Sequence, residues 1–276
     1  MAYRKPEHMA ATTNAWNVLD PRIQQALEKH GYYGIEVATI TLVATIVLEL
    51  YSYSTVRDLW TKQRHGKSLW LKGLLANMVN HYVLGAPVYI VAASLFCTNE
   101  VLSLPQQVTA IVNVIFMHAI LYYLLHRAAH QYPSLYRYHK FHHQFNTYIP
   151  PSSANAVSVV EYFAAYVAPF GIALGVGPPT DPSSLRWSVL YISILNLLVH
   201  TPHLEGLSQR VVPSHWLVST HSHLEHHRTL FVHYASPTIN VDSFVNMIQS
   251  RIWPSSVVVE DSSPSNDDSH ETKKLK

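Results

Sequence analysis

The chain reads as an all-α integral membrane bundle, with about four to five membrane helices and a cytosolic helical cap carrying its histidines. Three observations predict this class. Charged residues are only 13% of the 276 and hydrophobic ones 48%, whereas an ordinary soluble domain carries roughly 25% charged residues. The apolar residues gather in five stretches that approach the roughly 20 residues needed to cross a bilayer. Histidine, 19 residues in all, recurs at spacings of three and four, which a helix brings to one face.

In chain order, residues 1–34 form a polar N-terminal segment lacking the apolar core and cleavage site of a secretory signal peptide. Insertion is therefore expected to use the first span. Asp20 can cap a short interfacial helix that starts at Pro21 and stops at Gly31. The candidate spans are 35–51, 76–97, 107–125, 156–176 and 186–203. Between the first two, residues 54–73 carry Arg57, Lys62, Arg64, Lys67 and Lys72, while 98–106 carry no Lys or Arg. The positive-inside rule places that basic loop in the cytosol. Counting crossings from it, residues 126–143 emerge in the cytosol, and a hairpin turned at Gly177-Pro178-Pro179 returns the chain there near His200. Trp60, Trp70, Tyr51 and Tyr53 are expected in a headgroup belt, with Glu36 and Glu49 reaching the interface. The membrane-embedded domain covers 35–258. Residues 259–276 are polar and expected to be disordered. They end Lys273-Lys274-Leu275-Lys276, which resembles a dilysine retrieval signal and implies a multi-pass endoplasmic reticulum protein with a cytosolic C-terminus.

The chemistry lies in the histidines. His139, His142 and His143 repeat the pattern of His223, His226 and His227, and His126 with His130 precedes them. At this histidine content chance supplies roughly a tenth of one such pentapeptide, so two copies are a strong metal-ligand signal. The lone cysteine, Cys97, leaves imidazole and carboxylate as the available ligands. Imidazole suits iron, zinc, copper and nickel, and eight histidines exceed the four ligands of a structural zinc, which points to two ions. A dinuclear iron centre can activate dioxygen towards an unactivated C–H bond, a task beyond side chains alone. Zinc has no redox states for it, although it can replace iron in a purified sample. The formal charge of +2 and scattered basic residues give no nucleic-acid surface.

These residues resemble the fatty acid hydroxylase and sterol desaturase superfamily of membrane-bound, non-haem diiron enzymes. Tyr122-Tyr123-Leu-Leu-His126-Arg127-Ala-Ala-His130 is similar to its aromatic-x-x-His-Arg-x-x-His. Tyr138-His139-Lys140-Phe141-His142-His143 resembles its second box. His223-Leu-Glu-His226-His227, with His233-Tyr234 following, resembles the third. The resemblance covers roughly 110–245 and makes 35–258 a fatty acid hydroxylase-like catalytic domain. It implies two iron ions, O2 as co-substrate, and further ligands at His200 and His203. Two departures stand out. The family's Asn-Tyr-Gly ending reads His233-Tyr234-Ala235, and its His-Pro-x-Glu reads Ser158-Val159-Val160-Glu161, where Glu161 can support a ligand. With no fused haem domain or dinucleotide fingerprint, electrons are expected from a separate donor such as cytochrome b5 and its reductase.

Several residues are expected beside the metals or on a substrate cavity: His118, Glu161, His233, Tyr122 and Tyr123. His81 and His118 lie inside apolar segments, where a polar side chain faces the bundle interior. His8, His30, His65, His215, His221 and His270 read as surface residues. The expected reaction is oxygen-dependent hydroxylation, or desaturation, at a C–H bond of a lipid, sterol-like or other hydrophobic substrate entering from the bilayer. The competing readings are a histidine-rich metal transporter, whose ligands would lie along a mid-membrane path, and a non-catalytic family member.

Overall fold

Helix α1, Pro21–Tyr51, runs 31 residues without a break in the computed structural model, which describes residues 20–252. The stop expected at Gly31 does not occur. Gly31 is buried within the helix, and Gly34 one turn later sits against a neighbouring helix so closely that a Cβ there would lie 2.7 Å from the Ala86 carbonyl oxygen. Glycine here serves helix contact rather than termination. Helix α2, Tyr53–Lys62, follows, and His65 at φ 60° turns the chain into α3, Gly66–Phe96. The basic loop expected over 54–73 is therefore mostly helical.

Helix α4, Leu104–Gln131, opens with the Ser103 N–H donating to Gln106 Oε1 at 2.9 Å. A short α5, Pro133–His139, leads to irregular chain over 140–158. Then come α6, Val159–Val176, α7, Pro182–Val199, α8, Glu205–Val211, α9, Thr220–Thr229, and α10, Val241–Ile252. No strand occurs among the described residues.

Two π-helical turns interrupt the regular winding, Val79–Gly85 in α3 and Tyr162–Val167 in α6. Each ends shortly before a proline, Pro87 and Pro169. A proline lacks its N–H and crowds the carbonyl four residues back, so the preceding turn widens.

Four helices are long and apolar enough to cross a membrane: Leu27–Tyr51, Gly66–Phe96, Leu104–Gln131 and Val159–Val176. The chain is an all-α, multi-pass membrane bundle. The fifth candidate, now α7, falls short in apolarity. It carries Ser184, Ser188 and Asn196, all buried, and Arg186 pairs with Glu36 of α1 at 2.9 Å. Glu36, with 35% of its side chain exposed, thus has a counter-charge on α7.

The five long helices form a ring. α1 packs on α3 and α7, α7 on α4, α4 on α6, and α6 closes lightly against α3. They enclose a cavity of about 420 Å³ bordered by α1, α3, α6 and α7.

At one end of the ring the irregular segment 150–157 is held by side chains from α1 and α3. Glu49 accepts from Ser152 N–H at 2.9 Å and from Trp70 Nε1 at 2.8 Å. Asn77 Nδ2 donates to Ser152 O at 2.7 Å, and Asn80 Nδ2 to Asn155 O at 3.0 Å. These bonds satisfy non-helical backbone where water is scarce. Glu49 and Trp70 thus brace this segment, and Trp60 packs edge-on to Trp70 over the cluster of Leu59, Leu69 and Phe145. Tyr51 and Tyr53 remain exposed. The tail at 259–276, residues 1–19, His8 and His270 lie outside the described residues.

Candidate metal centre

Five segments deliver the histidines. The C-terminal turn of α4 carries His126 and His130, α5 ends on His139, and a single 3-10 turn, His142–Gln144, carries the next pair. His200 follows α7 directly, and α9 presents His223, His226 and His227 on one buried face. Their side chains converge in two adjoining groups, one of His126, His130, His139, His143 and His226, the other of His142, His200, His223 and His227. Within each group the candidate ligand atoms all lie within 4.8 Å of one another.

The contacts decide what those atoms are. His126 Nδ1 donates to Tyr234 O at 2.7 Å, His142 Nδ1 to Ser153 O at 3.1 Å, and His200 Nδ1 to Asn196 O at 2.7 Å. His226 Nδ1 donates to Val232 O at 2.7 Å, His227 Nδ1 to Phe145 O at 3.0 Å, and His139 Nδ1 to Glu161 Oε1 at 2.5 Å. A carbonyl or carboxylate oxygen offers no proton, so the ring nitrogen must carry it. In a neutral imidazole that leaves Nε2 as a bare lone pair.

Two pairs of these bare atoms face each other: Nε2 of His126 and His139 are 3.0 Å apart, and Nε2 of His200 and His227 3.2 Å. His143 Nε2 lies 2.8 Å from that of His139 and His223 Nε2 2.9 Å from that of His200; Nδ1 of His143 and of His223 makes no hydrogen bond, so either tautomer is open to these two rings. His226 Nε2 is buried without any partner. Opposed lone pairs repel, and a buried acceptor left alone costs about 1–3 kcal/mol. A cation bound between them removes both penalties, and a ligand histidine anchored through its second nitrogen by a carbonyl or carboxylate is the usual arrangement at metal sites. The residues present fit metal ions.

Burial also keeps the rings neutral. It holds His142, His223 and His227 well below the usual imidazole range, with neighbouring imidazoles adding to the effect. It lowers His226 to about 3. Only the neutral form ligates.

His203 is not brought into either group. Pro202 starts a 3-10 turn that carries it away from the centre, so its Nε2 lies 3.0 Å from Ser54 Oγ and its ring packs on Tyr51. Glu161, placed by the Ser158 N-cap, accepts from His139 Nδ1. Tyr122 is buried with its ring 5.2 Å from that of His126. Tyr123 turns away and accepts from Arg127 at 2.8 Å.

His118 is wholly buried, with neither nitrogen hydrogen-bonded; it does not border the cavity it was expected to line, and its ring packs at 4.9 Å on Phe170, which does. His233 ligates nothing and adopts φ 56°. The Asn that the family has there tolerates that left-handed conformation readily. His65 and His215 are exposed, and His30 is half-buried. His221 pairs with Glu205, which also binds Arg228 and ties α8 to α9.

The backbone acceptors were not visible in the sequence, since every residue has a carbonyl. Asn155 and Asn196 carried no motif either, yet they border the cavity just beneath the histidines. Asn196 Nδ2 donates to Ala154 O at 3.0 Å, and its carbonyl holds His200.

Residues 110–246 match the sequence profile of the fatty acid hydroxylase family, the segment that contains every histidine of both groups. The chain belongs to this family. No curated relative and no solved structure matches the chain. The family is one of hydroxylases and desaturases, and the two histidine groups are where this member could hold metal.

Proposed function

We propose that this protein is a non-haem diiron oxygenase that hydroxylates, or desaturates, a C–H bond of a hydrophobic substrate taken from the bilayer. The observation that carries this reading is the two adjoining sets of neutral imidazoles with lone pairs turned inward. Two sets suit two ions, and nitrogen-rich ligation of this kind suits iron. Iron bound there supplies the redox chemistry with dioxygen that side chains cannot.

The chain's own residues do the rest. Glu161 and the carbonyls of Tyr234, Ser153, Asn196, Val232 and Phe145 hold a proton on Nδ1 of His139, His126, His142, His200, His226 and His227 and orient the opposite nitrogen. The apolar cavity keeps water out and fixes which carbon approaches the centre. Electrons come from a separate carrier, with cytochrome b5 and its reductase as the proposed pair. The basic residues between the first two spans support a cytosolic face for the metal centre, and the endoplasmic reticulum membrane is the proposed location. Transport fits poorly, because the ligands gather at one end of the bundle rather than along a path through it.

The test is metal analysis of the full chain purified anaerobically, followed by lipid oxidation assays. About two iron per chain, with oxidised lipid formed only when O2 and reductant are both supplied, is the expected result. Product formed equally without O2 would overturn the reading.

A further inference from the structure

We propose that a basic pocket beside the turn of His142 and His143, outside both histidine groups, binds a phosphomonoester, whether the head group of a membrane phospholipid or a small soluble phosphate. The site does not depend on the oxygenase reading.

Where the left-handed residue His65 turns α2 into α3, the chain leaves a pocket of about 490 Å³. Arg64, His65, Ser68 and Lys72 border it from the start of α3, and Gln144 and Asn146 from the segment after the histidine turn. Gln63 Nε2 donates to Gln144 O at 3.1 Å and joins the two sides. Gln144 ends the 3-10 turn that carries His142 and His143, yet no residue of the pocket belongs to either histidine group.

The charge around it has one sign. No Asp or Glu borders the pocket. Among the described residues neither Arg64 nor Lys72 pairs with a carboxylate, whereas nearby Lys62 is held by Asp58 at 2.8 Å. Two cations at one pocket repel, and an anion between them turns that repulsion into attraction.

The start of α3 adds backbone donors. His65 at its N-cap supplies no side-chain acceptor. The Gly66 N–H donates to Gln63 O and the Leu69 N–H to His65 O, which leaves the N–H groups of Lys67 and Ser68 without a partner among the described residues. A helix of 31 residues concentrates partial positive charge at that end, where anions bind.

A phosphomonoester matches this set better than other anions. It carries close to two negative charges near neutral pH and three acceptor oxygens, against two fixed cations, a hydroxyl and a helix end. A carboxylate or a phosphodiester brings one charge. Lys72 stands about 6 Å, four residues of helical rise, before the apolar run that starts near residue 76, so the pocket opens at the depth of phospholipid head groups.

The test is calorimetric titration of the full-length protein in an uncharged detergent at pH 7.5 with phosphatidic acid, phosphatidylcholine and glycerol 3-phosphate. Phosphatidic acid should bind about tenfold or more tightly than phosphatidylcholine. Arg64→Gln and Lys72→Gln, singly and together, should weaken that binding, the pair by about tenfold or more, with metal content and unfolding temperature unchanged. Lys67→Gln removes the same charge from an exposed residue that does not border the pocket, and it should cost no more than about twofold. Binding of glycerol 3-phosphate with the same sensitivity to Arg64 and Lys72 would make the phosphate group itself the ligand from either source; its failure to bind, with phosphatidic acid retained, would make the ligand a membrane lipid. Equal affinity for phosphatidic acid and phosphatidylcholine would overturn the proposal even if no variant folds. So would a loss in Lys67→Gln as large as in the paired variant, which would reduce the region to a diffuse positive surface.

Discussion

Among the described residues, Glu161 is the carboxylate that touches the histidine groups, and its effect runs through His139. A carboxylate accepting from Nδ1–H strengthens the opposite nitrogen as a ligand and sets the ring plane. Glu161→Gln keeps the shape but loses the charge, so metal affinity should fall by about 10–100-fold with helicity preserved. His203→Ala should leave metal content unchanged, because that ring faces Ser54. Competitive chelation followed by metal analysis reads both variants. Unchanged affinity in Glu161→Gln would mean that its charge plays no part in metal binding, and loss of metal in His203→Ala would return His203 to the ligand set. The sequence carried these residues unequally. Both triplet boxes and the His126–His130 pair declare themselves through spacing alone, whereas His200 and His203 look alike beside the same helix end. Only the 3-10 turn at Pro202 separates them.

At the level of helices, close approach between α1 and α3 depends on Gly34. A Cβ there would stand 2.7 Å from the Ala86 carbonyl oxygen and 3.0 Å from its Cα, backbone atoms that cannot rotate aside. Gly34→Ala should destabilise the bundle by about 1–3 kcal/mol, the usual cost of overpacking. Gly175→Ala is the matched control, since nothing lies within 4 Å of its Cβ position. Reversible unfolding of both variants in detergent decides it; equal stability would mean that α1 and α3 can separate freely. The two π turns show a similar limit on reading elements. Pro87 and Pro169 were visible inside apolar stretches, but whether a proline kinks, ends or widens a helix depends on what packs around the freed carbonyl.

Across the whole molecule, burial of many neutral imidazoles makes stability depend on pH. The folded protein holds His226 at about 3 and His142, His223 and His227 below their normal range, while an unfolded chain titrates near 6.5. Between those values the unfolded state binds more protons, so stability is full above about pH 6.5 and is lost progressively as pH falls towards 3. Protons compete with metal for the same nitrogens, so acidification should release metal over the same window. Unfolding temperature and retained metal, followed from pH 7.5 down to 4.5, should fall together below about 6.5. A flat profile would mean that these rings are protonated or exposed in the folded state.

Composition, apolar run length and histidine spacing determined by themselves that this is a helical membrane protein with a metal-binding head, because bilayer thickness and helical period act on local sequence. Which imidazoles share a group was decided only by the tertiary structure, since His142 and His143 are adjacent in sequence yet belong to different groups. The same holds for the Glu36–Arg186 pair and the continuation of α1 through Gly31. Each depends on contacts between segments far apart in the chain, and such contacts leave no periodic mark in the sequence.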